Sequence, residues 1–383
     1  MTTTMDHSAE VAALAETAQR YLSGNVPLDN ARRVQRGDMT IGFDRERWRA
    51  QAQLGWTGLA LPEVVGGAGL DIAAAARLLE VCGRNLSPDP FLSTVALAVP
   101  VVRGAVAAGN DAAGALGAAI ADGSAIVAVA VPPVADLQRG STPFTADFAN
   151  GVATLRGRAA VVDLPGSDSV LIPVSTANGV LWLNVPSGSL AVEREAALVD
   201  GRRVAWVSAD EICVGSDSAL TSEQSFEDAF LPVLTEGAVL VASWQLGLAR
   251  RAFAITVDYL KVRKQFGAVI GTYQALQHRV ARLHCELEVA TSVIDDAVRA
   301  TDGGHPDAAL SASAAKFRMG DLANRLTGDA IQLHGGIGMT DEADIGLFYK
   351  AARGADLTAG NHLFHAQRAM ALLGVTAHTK EGS

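Results

Sequence analysis

The sequence is poor in the features that mark several large classes of protein. Its 383 residues contain three cysteines, Cys82, Cys213 and Cys285, which are scattered and odd in number. This usage fits a reducing cytoplasm and argues against a disulfide framework or a zinc site. The net charge is −10, and no dense cluster of Lys and Arg is present. A role in binding nucleic acid or an anionic membrane therefore has no electrostatic basis.

The chain also lacks the patterns of a secretion signal or a membrane span. The first 22 residues carry Asp6, Glu10 and Glu16, and no basic start is followed by an apolar run. The longest apolar runs, residues 125–135 and 237–249, are shorter than the roughly 20 residues that a spanning helix needs. The sequence predicts a cytoplasmic protein without membrane contact.

What is present indicates an ordered chain of class α+β. Hydrophobic residues make up 49% and charged residues 19% of the sequence, as in globular proteins. The length predicts two or three domains. The composition divides the chain into an N-terminal helical domain (1–122), a small antiparallel β-domain (123–220) and a C-terminal four-helix bundle (221–383).

Local patterns support this division. Residues 8–22 and 71–83 are rich in Ala, Leu, Glu and Arg, and Asp71 is a predicted N-cap. Apolar residues later recur every three or four positions from Val239 to Leu260 and from Leu276 to Ala297, which predicts two long amphipathic helices. Between these parts, short β-branched runs separated by turn residues predict strands at 125–131, 152–155, 159–162, 169–174, 180–185 and 203–207.

Two short motifs in the predicted bundle carry the functional information. Residues 263–267 read RKQFG, and residues 332–338 read QLHGGIG, beginning 69 positions after Arg263. An arginine at a helix end supplies a fixed charge for a phosphate. Adjacent glycines let a ligand approach the backbone closely. An isolated arginine or Gly-Gly pair is usually a helix cap or a turn. Only the joint occurrence of the two motifs therefore indicates a phosphate-binding site.

Together with the helix–β–helix order, these motifs resemble the acyl-CoA dehydrogenase family over nearly the whole chain. Residues 54–70 look like the family's first-domain signature, and residues 83–91 resemble a variant of shorter, actinobacterial-type members. The resemblance implies FAD as cofactor and an oligomer, since these motifs typically reach the flavin of a neighbouring subunit. It assigns FAD binding to Arg263, Gln265, Phe266, Gln332, Gly335 and Gly336.

The family's base is missing from its usual place. Many members carry a Glu seven residues before an Arg that matches Arg368, and this position is Asn361. An amide cannot act as a base at neutral pH. Other members place the base ten residues before a Gly that matches Gly247. The residue at that base position is Gly237 here. Glu236 is one residue, or about 100° of helix, away. A local irregularity would restore it, so Glu236 stays a candidate base.

Asp356 is a further candidate for the base.

The β-domain also departs from the family pattern. Active members have a Thr-Glu-Pro segment and a Trp-Ile/Val-Thr segment against the flavin ring. The equivalent residues here are 129–136 (VAVPPVAD) and 161–164 (VVDL). The tripeptide at 166–168 (GSD) follows the second segment and is predicted to be a turn. No metal site is predicted, and the pair His362 and His365 is assigned to the last helix.

The retained and missing groups lead to one hypothesis and three alternatives. The chain is expected to be the non-catalytic subunit of a heteromeric α2β2 acyl-CoA dehydrogenase, completing a FAD site shared with a paralogous subunit. The family resemblance implies a bulky acyl-CoA substrate and an electron-transfer flavoprotein as partner. The alternatives are a homotetrameric enzyme that uses Glu236, a flavin oxidase or monooxygenase of the same fold, and a scaffold without flavin.

Overall fold

The computed structural model describes residues 2–38 and 44–375, with only the backbone described for residues 2–8. The N-terminal part is helical, as predicted. Its helices are α1 (Thr2–Asn25), α2 (Leu28–Gln35), α3 (Arg45–Gln53), α4 (Ile72–Arg84), α5 (Val99–Ala107) and α6 (Asp111–Ala121), with a π-helix at Phe91–Ala98 directly before α5. Asp71 is the N-cap of α4, because its carboxylate accepts a hydrogen bond from the Ala74 amide at 3.0 Å.

The central part is a sheet that is mainly antiparallel. Its strands are β1 (Val127–Val129), β2 (Phe144–Ala149), β3 (Val152–Val162), β4 (Ser169–Ser175), β5 (Val180–Pro186), β6 (Ala191–Ala197) and β7 (Arg203–Gly215), with a short helix α7 (Val134–Arg139) after β1. Strand β4 pairs with β5 along one edge, and with β1 and then β2 in parallel along the other. Strands β2, β3, β7 and β6 continue the sheet in antiparallel order.

The C-terminal part is the predicted bundle of long helices. It contains α8 (Phe226–Pro232), a π-helix at Val233–Gly237, α9 (Ala238–Val262), the hairpin of β8 (Lys264–Gln265) and β9 (Ala268–Val269), α10 (Gln274–Asp302), α11 (Ala308–His334), α12 (Ile345–Asp356) and α13 (His362–Leu372). The apolar stripe of α10 is buried from Leu283 to Ala297. Helix α9 packs against α4, where a side chain at Gly83 or Gly247 would overlap a backbone carbonyl of the other helix.

The strand prediction differs from the structure at three strands, β3, β2 and β6. The runs at 152–155 and 159–162 belong to the single strand β3, which has an irregular register between Leu155 and Arg156. Strands β2 and β6 were not predicted. Strand β6 (AVEREAA) is almost fully exposed and has no apolar alternation that would predict a strand. The turn predicted at 166–168 is confirmed, since the Ser167 amide donates to the Leu164 carbonyl at 3.0 Å.

The core sits mainly among the helices, with a second apolar cluster inside the sheet. The continuous helical run Phe226–Val262 is long and apolar enough to cross a membrane by length and composition. However, 89% of its most apolar window is buried inside the fold, as expected for the central helix of a bundle. The boundaries at residues 122 and 220 stay predictions.

Candidate functional site

Residues 263–267 form an exposed hairpin at the end of the first long bundle helix. Arg263 terminates α9, and β8 pairs with β9 directly after it. Phe266 and Gly267 make the turn with φ of +53° and +81°, which is typical of a type I′ hairpin. The Phe266 ring is 90% exposed. The chain thus presents Arg263, Gln265 and Phe266 outward, which is characteristic of a contact surface.

The second motif lies at the end of α11 and is also open to solvent. Gln332, Gly335 and Gly336 are all exposed. Gly335 has φ of +65°, a conformation that favours glycine. A side chain built at Gly336 would meet no described atom within 4 Å, so packing inside this chain does not demand glycine there. By contrast, a side chain at Gly338 would clash with the Ile331 carbonyl.

The structure connects the two motifs through an aromatic contact. The Tyr259 ring stacks on the His334 ring with centroids 4.4 Å apart, and the Tyr259 hydroxyl donates to the His334 carbonyl at 3.1 Å. The Arg263 amide donates to the Tyr259 carbonyl at 2.9 Å, one helical turn away. Sequence reasoning missed this contact, although Tyr259 lies four residues before Arg263 and on the same helix face.

This surface fits the nucleotide end of FAD. A pyrophosphate needs fixed positive charge and close approach to backbone, and Arg263 with the open glycines at 335 and 336 offers both. Gln265 and Gln332 add donors and acceptors at the exposed edge. The assignment of these six residues to FAD stays a proposal.

Asn361, at the usual position of the base, is a helix cap. It is the N-cap of α13, and its Oδ1 atom accepts a hydrogen bond from the Phe364 amide at 2.8 Å. The loop before it is tightly wound, with positive φ at Ala359 and Gly360. The position is therefore used to start the last helix. Arg368 holds the other side of this region by donating to Leu234 O at 3.0 Å and Ser313 Oγ at 2.7 Å.

Asp356, the other carboxylate near this loop, is committed to structural contacts. One carboxylate oxygen accepts a hydrogen bond from the His362 amide at 3.0 Å. The other oxygen accepts a hydrogen bond from Asn324 Nδ2 at 3.1 Å and also lies 2.7 Å from His362 Nδ1. The buried Lys316 Nζ lies 3.8 Å from the carboxylate and donates to the Asp356 carbonyl at 2.8 Å. Both carboxylate oxygens of Asp356 are thus engaged in contacts within the fold.

Lys316 and His365 are buried titratable groups that sequence reasoning did not single out as functional. Both are fully buried beneath the loop between α12 and α13. Burial lowers the pKa of Lys316 to about 8 and that of His365 to about 3. His365 Nε2 lies 2.8 Å from the Ala359 carbonyl. Burial also lowers the pKa of Arg368, to about 10. Buried basic side chains thus lie beneath this loop. His365 is neutral and donates a hydrogen bond from Nε2 to the Ala359 carbonyl.

Glu236 lies in the π-helix at Val233–Gly237, which is the type of irregularity that the sequence left open. The residue is 4% exposed, and its side chain pairs with Arg103 on α5. Burial raises the pKa of the Glu236 carboxyl, and the Arg103 charge opposes that rise. Glu236 Oε1 has no hydrogen-bond partner among the described residues. The adjacent Gly237 packs so closely that a side chain there would sit 2.9 Å from the Ala96 carbonyl oxygen.

The segment expected against a flavin ring carries a buried charged side chain near the turn between β6 and β7. Asp163, in segment 161–164, is buried, has φ of +62° and accepts a hydrogen bond from the Ser93 hydroxyl. Burial raises the pKa of Asp163, and the nearby Arg202 charge opposes that rise. Arg202 donates to Asp200 at 2.8 Å and to Thr358 Oγ1 at 3.2 Å. Arg202, in the turn between β6 and β7, thus lies near Asp163 and contacts the loop before Asn361.

Comparisons with known proteins agree with this architecture. A model of the acyl-CoA dehydrogenase C-terminal domain matches residues 228–377, and a model of the N-terminal domain of the same family matches residues 8–112. The acyl-CoA dehydrogenase IpdE2 of Mycobacterium tuberculosis is 30% identical over 317 residues, which cover 82% of each chain. The chain belongs to the acyl-CoA dehydrogenase family. It therefore belongs to the flavoprotein oxidoreductases that act on acyl-CoA, and the predicted fold is confirmed.

Solved structures of the family show the same fold. A variant of the Tcur3481–Tcur3483 steroid acyl-CoA dehydrogenase is 26% identical, with a TM-score of 0.84 over 96% of this chain and 98% of the other. The ChsE4–ChsE5 complex of Mycobacterium tuberculosis has a chain that is 22% identical, with a TM-score of 0.84 over 96% of this chain and 98% of the other. At that identity the second likeness concerns the fold alone.

Proposed function

We propose that this chain is the non-catalytic subunit of a heteromeric acyl-CoA dehydrogenase and completes a FAD site shared with a paralogous subunit. The carrying observation is that Asn361, at the family's usual base position, is the N-cap of α13. The family reaction removes a proton from the α-carbon of an acyl thioester, and bound FAD accepts the hydride. A chain whose base position is used as a cap needs the base of another subunit.

The remaining carboxylates support the same division of labour. Asp356 is held by Lys316, Asn324 and His362, and Glu236 is paired with Arg103. The close approach of Gly237 to the π-helix at Phe91–Ala98 leaves no room for the alternative base of the family. The Arg202 charge acts on the buried Asp163, and Arg202 also donates to Thr358, three residues before Asn361.

The FAD-contacting role is assigned to the exposed surface of the hairpin 263–267 and the segment 332–336. The partner is an acyl-CoA dehydrogenase chain that retains the ring-binding segment and the base, in an α2β2 heterotetramer. Support comes from the solvent exposure of Arg263, Gln265, Phe266, Gln332, Gly335 and Gly336 and from the likeness to the ChsE4–ChsE5 structure, which is described as a complex. We place the assembly in the cytoplasm, with an electron-transfer flavoprotein as electron acceptor.

A bulky acyl-CoA is the proposed substrate class. The support is the likeness to a dehydrogenase described as acting on steroids. This chain does not supply the catalytic base for that substrate, since Asn361 is a helix cap and Gly237 is closely packed. Lipid or steroid catabolism is the corresponding process.

The test is FAD retention by the co-expressed complex when Arg263 is changed. A charge-assisted hydrogen bond to phosphate contributes about 1.5–3 kcal/mol, so Arg263→Ala is expected to weaken FAD retention about tenfold or more. The matched control is Arg282→Ala, which removes an exposed arginine on α10 and should leave FAD retention unchanged. Equal FAD retention in wild type and Arg263→Ala would contradict the proposed role of this surface.

The homomeric enzyme that uses Glu236 is the second candidate. It is favoured by the π-helical register, by the raised pKa of Glu236 and by the unpartnered Oε1 atom. It predicts that the chain made alone is yellow and that Glu236→Gln abolishes dehydrogenase activity. The proposed heteromer predicts that Glu236→Gln leaves the activity of the complex unchanged once its lower stability is taken into account.

A further inference from the structure

The C-terminal end of α10 is joined to the beginning of α4 by two carboxyl groups. Asp71 is the N-cap of α4, and its Oδ1 atom accepts a hydrogen bond from the Ala74 amide at 3.0 Å. Asp302 is the last residue of α10, and its Oδ1 atom accepts a hydrogen bond from the Ile72 amide at 3.0 Å. Helix α4 therefore begins with one cap from its own segment and a second cap from 230 positions later in the chain.

The side chains of Asp71 and Asp302 are also hydrogen-bonded to each other. An ionised carboxylate has no donor, so two carboxyl groups form such a bond only while one of them carries a proton. Once that proton is lost, two negative charges lie side by side and repel each other. The contact between α10 and α4 therefore depends on a single proton.

An open cavity of about 390 Å³ lies beside the two carboxyl groups. The loop before α4 and Arg103 of α5 form its other walls. Asp302 is exposed, so its proton exchanges with the solvent. None of the described residues that line this cavity belongs to segment 161–164, the hairpin 263–267 or the segment 332–336. The inference drawn from this pair does not rest on the proposed function.

Other charged side chains approach the pair from the elements around it. Arg103 is the nearby positive group, and it is already paired with Glu236 of the π-helix before α9. The exposed Glu63 side chain lies beside Gly69 in the loop before α4 and adds negative charge. If Asp71 and Asp302 were both ionised, carboxylates would outnumber the guanidinium. This balance favours keeping one proton on the pair.

The pKa of Asp302 gives the direction of the pH dependence. Burial raises this pKa above its ordinary value of 3.8, and the neighbouring Asp71 raises it further. The Ile72 amide and the Arg103 charge oppose the rise. The folded chain therefore holds the proton at pH values where the unfolded chain has released it. The stabilisation by this contact is fully present below pH 3.8 and is lost as the pH rises through the raised pKa.

We propose that Asp71 and Asp302 form a pH-sensitive latch between the N-terminal helices and the C-terminal bundle. The latch is closed while the two side chains share a proton, and it opens when the proton is lost and the carboxylates repel. Opening releases the Ile72 amide and lets the loop before α4 move away from the end of α10. Two independent capping carboxylates would behave in the opposite way, because a cap binds its amide more strongly when it is ionised.

The test is hydrogen exchange of the full-length chain, followed by mass spectrometry between about pH 4.5 and pH 8 and corrected for the chemical exchange rate. In wild type, opening of the segments 70–75 and 298–304 should increase roughly two- to fivefold toward pH 8, as for a partly exposed charge interaction. In Asp302→Asn and in Asp71→Asn, the new amide donates to the remaining carboxylate without needing a proton. Both variants should lose the increase.

Two further variants complete the test. Asp295→Asn, at an exposed position on the same helix α10, is the control and should keep the wild-type increase. Asp302→Ala removes the contact, so both segments should be open to the same extent at both ends of the pH range. The inference is overturned if opening in wild type decreases toward pH 8 or if either single Asn variant of the pair keeps the increase. Loss of the increase in Asp295→Asn would also overturn it.

Discussion

Lys316 offers a quantitative test of how the loop that carries Asn361 is supported. Its side chain is completely buried and its Nζ donates to the Asp356 carbonyl at 2.8 Å. Burial lowers the pKa of Lys316 from 10.5 to about 8, and the nearby Arg202 charge also lowers it. The unfolded chain therefore binds more protons than the folded chain between pH 8 and pH 10.5. The free energy of unfolding must rise with pH across that interval.

The magnitude follows from the two pKa values. Between pH 7.5 and pH 9.5, this one group should add about 2 kcal/mol to the free energy of unfolding. The assay is urea denaturation of wild type and Lys316→Met at both pH values. Methionine keeps an unbranched buried side chain without the proton. Other titrating groups occur in both proteins, so the difference between the two pH dependences isolates Lys316.

Lys261→Met is the control, because Lys261 is an exposed lysine on α9 that pairs with Asp258 on the same helix. Its pH dependence should match that of wild type. The reasoning is refuted if wild type and Lys316→Met gain equal stability between pH 7.5 and pH 9.5. That result would mean that water or a second group solvates the ammonium in the folded chain.

Three further substitutions test the sites where a base was expected. Asn361→Ala should destabilise the chain by about 1 kcal/mol through loss of the α13 cap, with Asn361→Asp nearly neutral; equal urea midpoints for the two would exclude the capping role. Gly237→Ala should cost about 1–3 kcal/mol through overpacking, whereas Gly328→Ala in α11, where a Cβ would make an ordinary contact with the Tyr349 ring at 3.9 Å, should be neutral or stabilising; a neutral Gly237→Ala would show that the helices can separate. Glu236→Gln should cost about 2 kcal/mol by unpairing Arg103, a value reduced because Arg103 is about a third exposed; unchanged thermal stability would show that the ion pair contributes nothing.

The helical parts of the fold could be predicted because their signals are local. The apolar stripe from Leu276 to Ala297 has the helical period, and its central residues are buried as that period requires. Asp71 precedes an apolar helix and is its cap. Strand β6 could not be predicted, because its charged, exposed sequence has no apolar alternation and its place in the sheet comes from pairing with β7. Such pairing depends on the partner strand and not on a local pattern.

The exposed motifs of the site were also within reach of the sequence, since Arg263 ends a helix and Gly335 breaks one. The fate of the candidate bases was not. Whether Glu236 reaches a substrate depends on the π-helix around it and on Arg103, 133 positions earlier. The bridge from Arg202 to Thr358 likewise joins residues 156 positions apart. Asn361 had a usable signal, because asparagine is a favoured N-cap and the last helix was expected to begin beside it.

The most direct test of the central claim is the flavin content of the purified chain. The chain is expressed alone and together with a paralogous acyl-CoA dehydrogenase, and FAD per subunit is measured by absorbance with the mass determined by light scattering. The account predicts a chain without flavin when it is made alone and a flavin-containing heterotetramer after co-expression. A homotetramer of this chain with one FAD per subunit would contradict the account and assign the chemistry to Glu236.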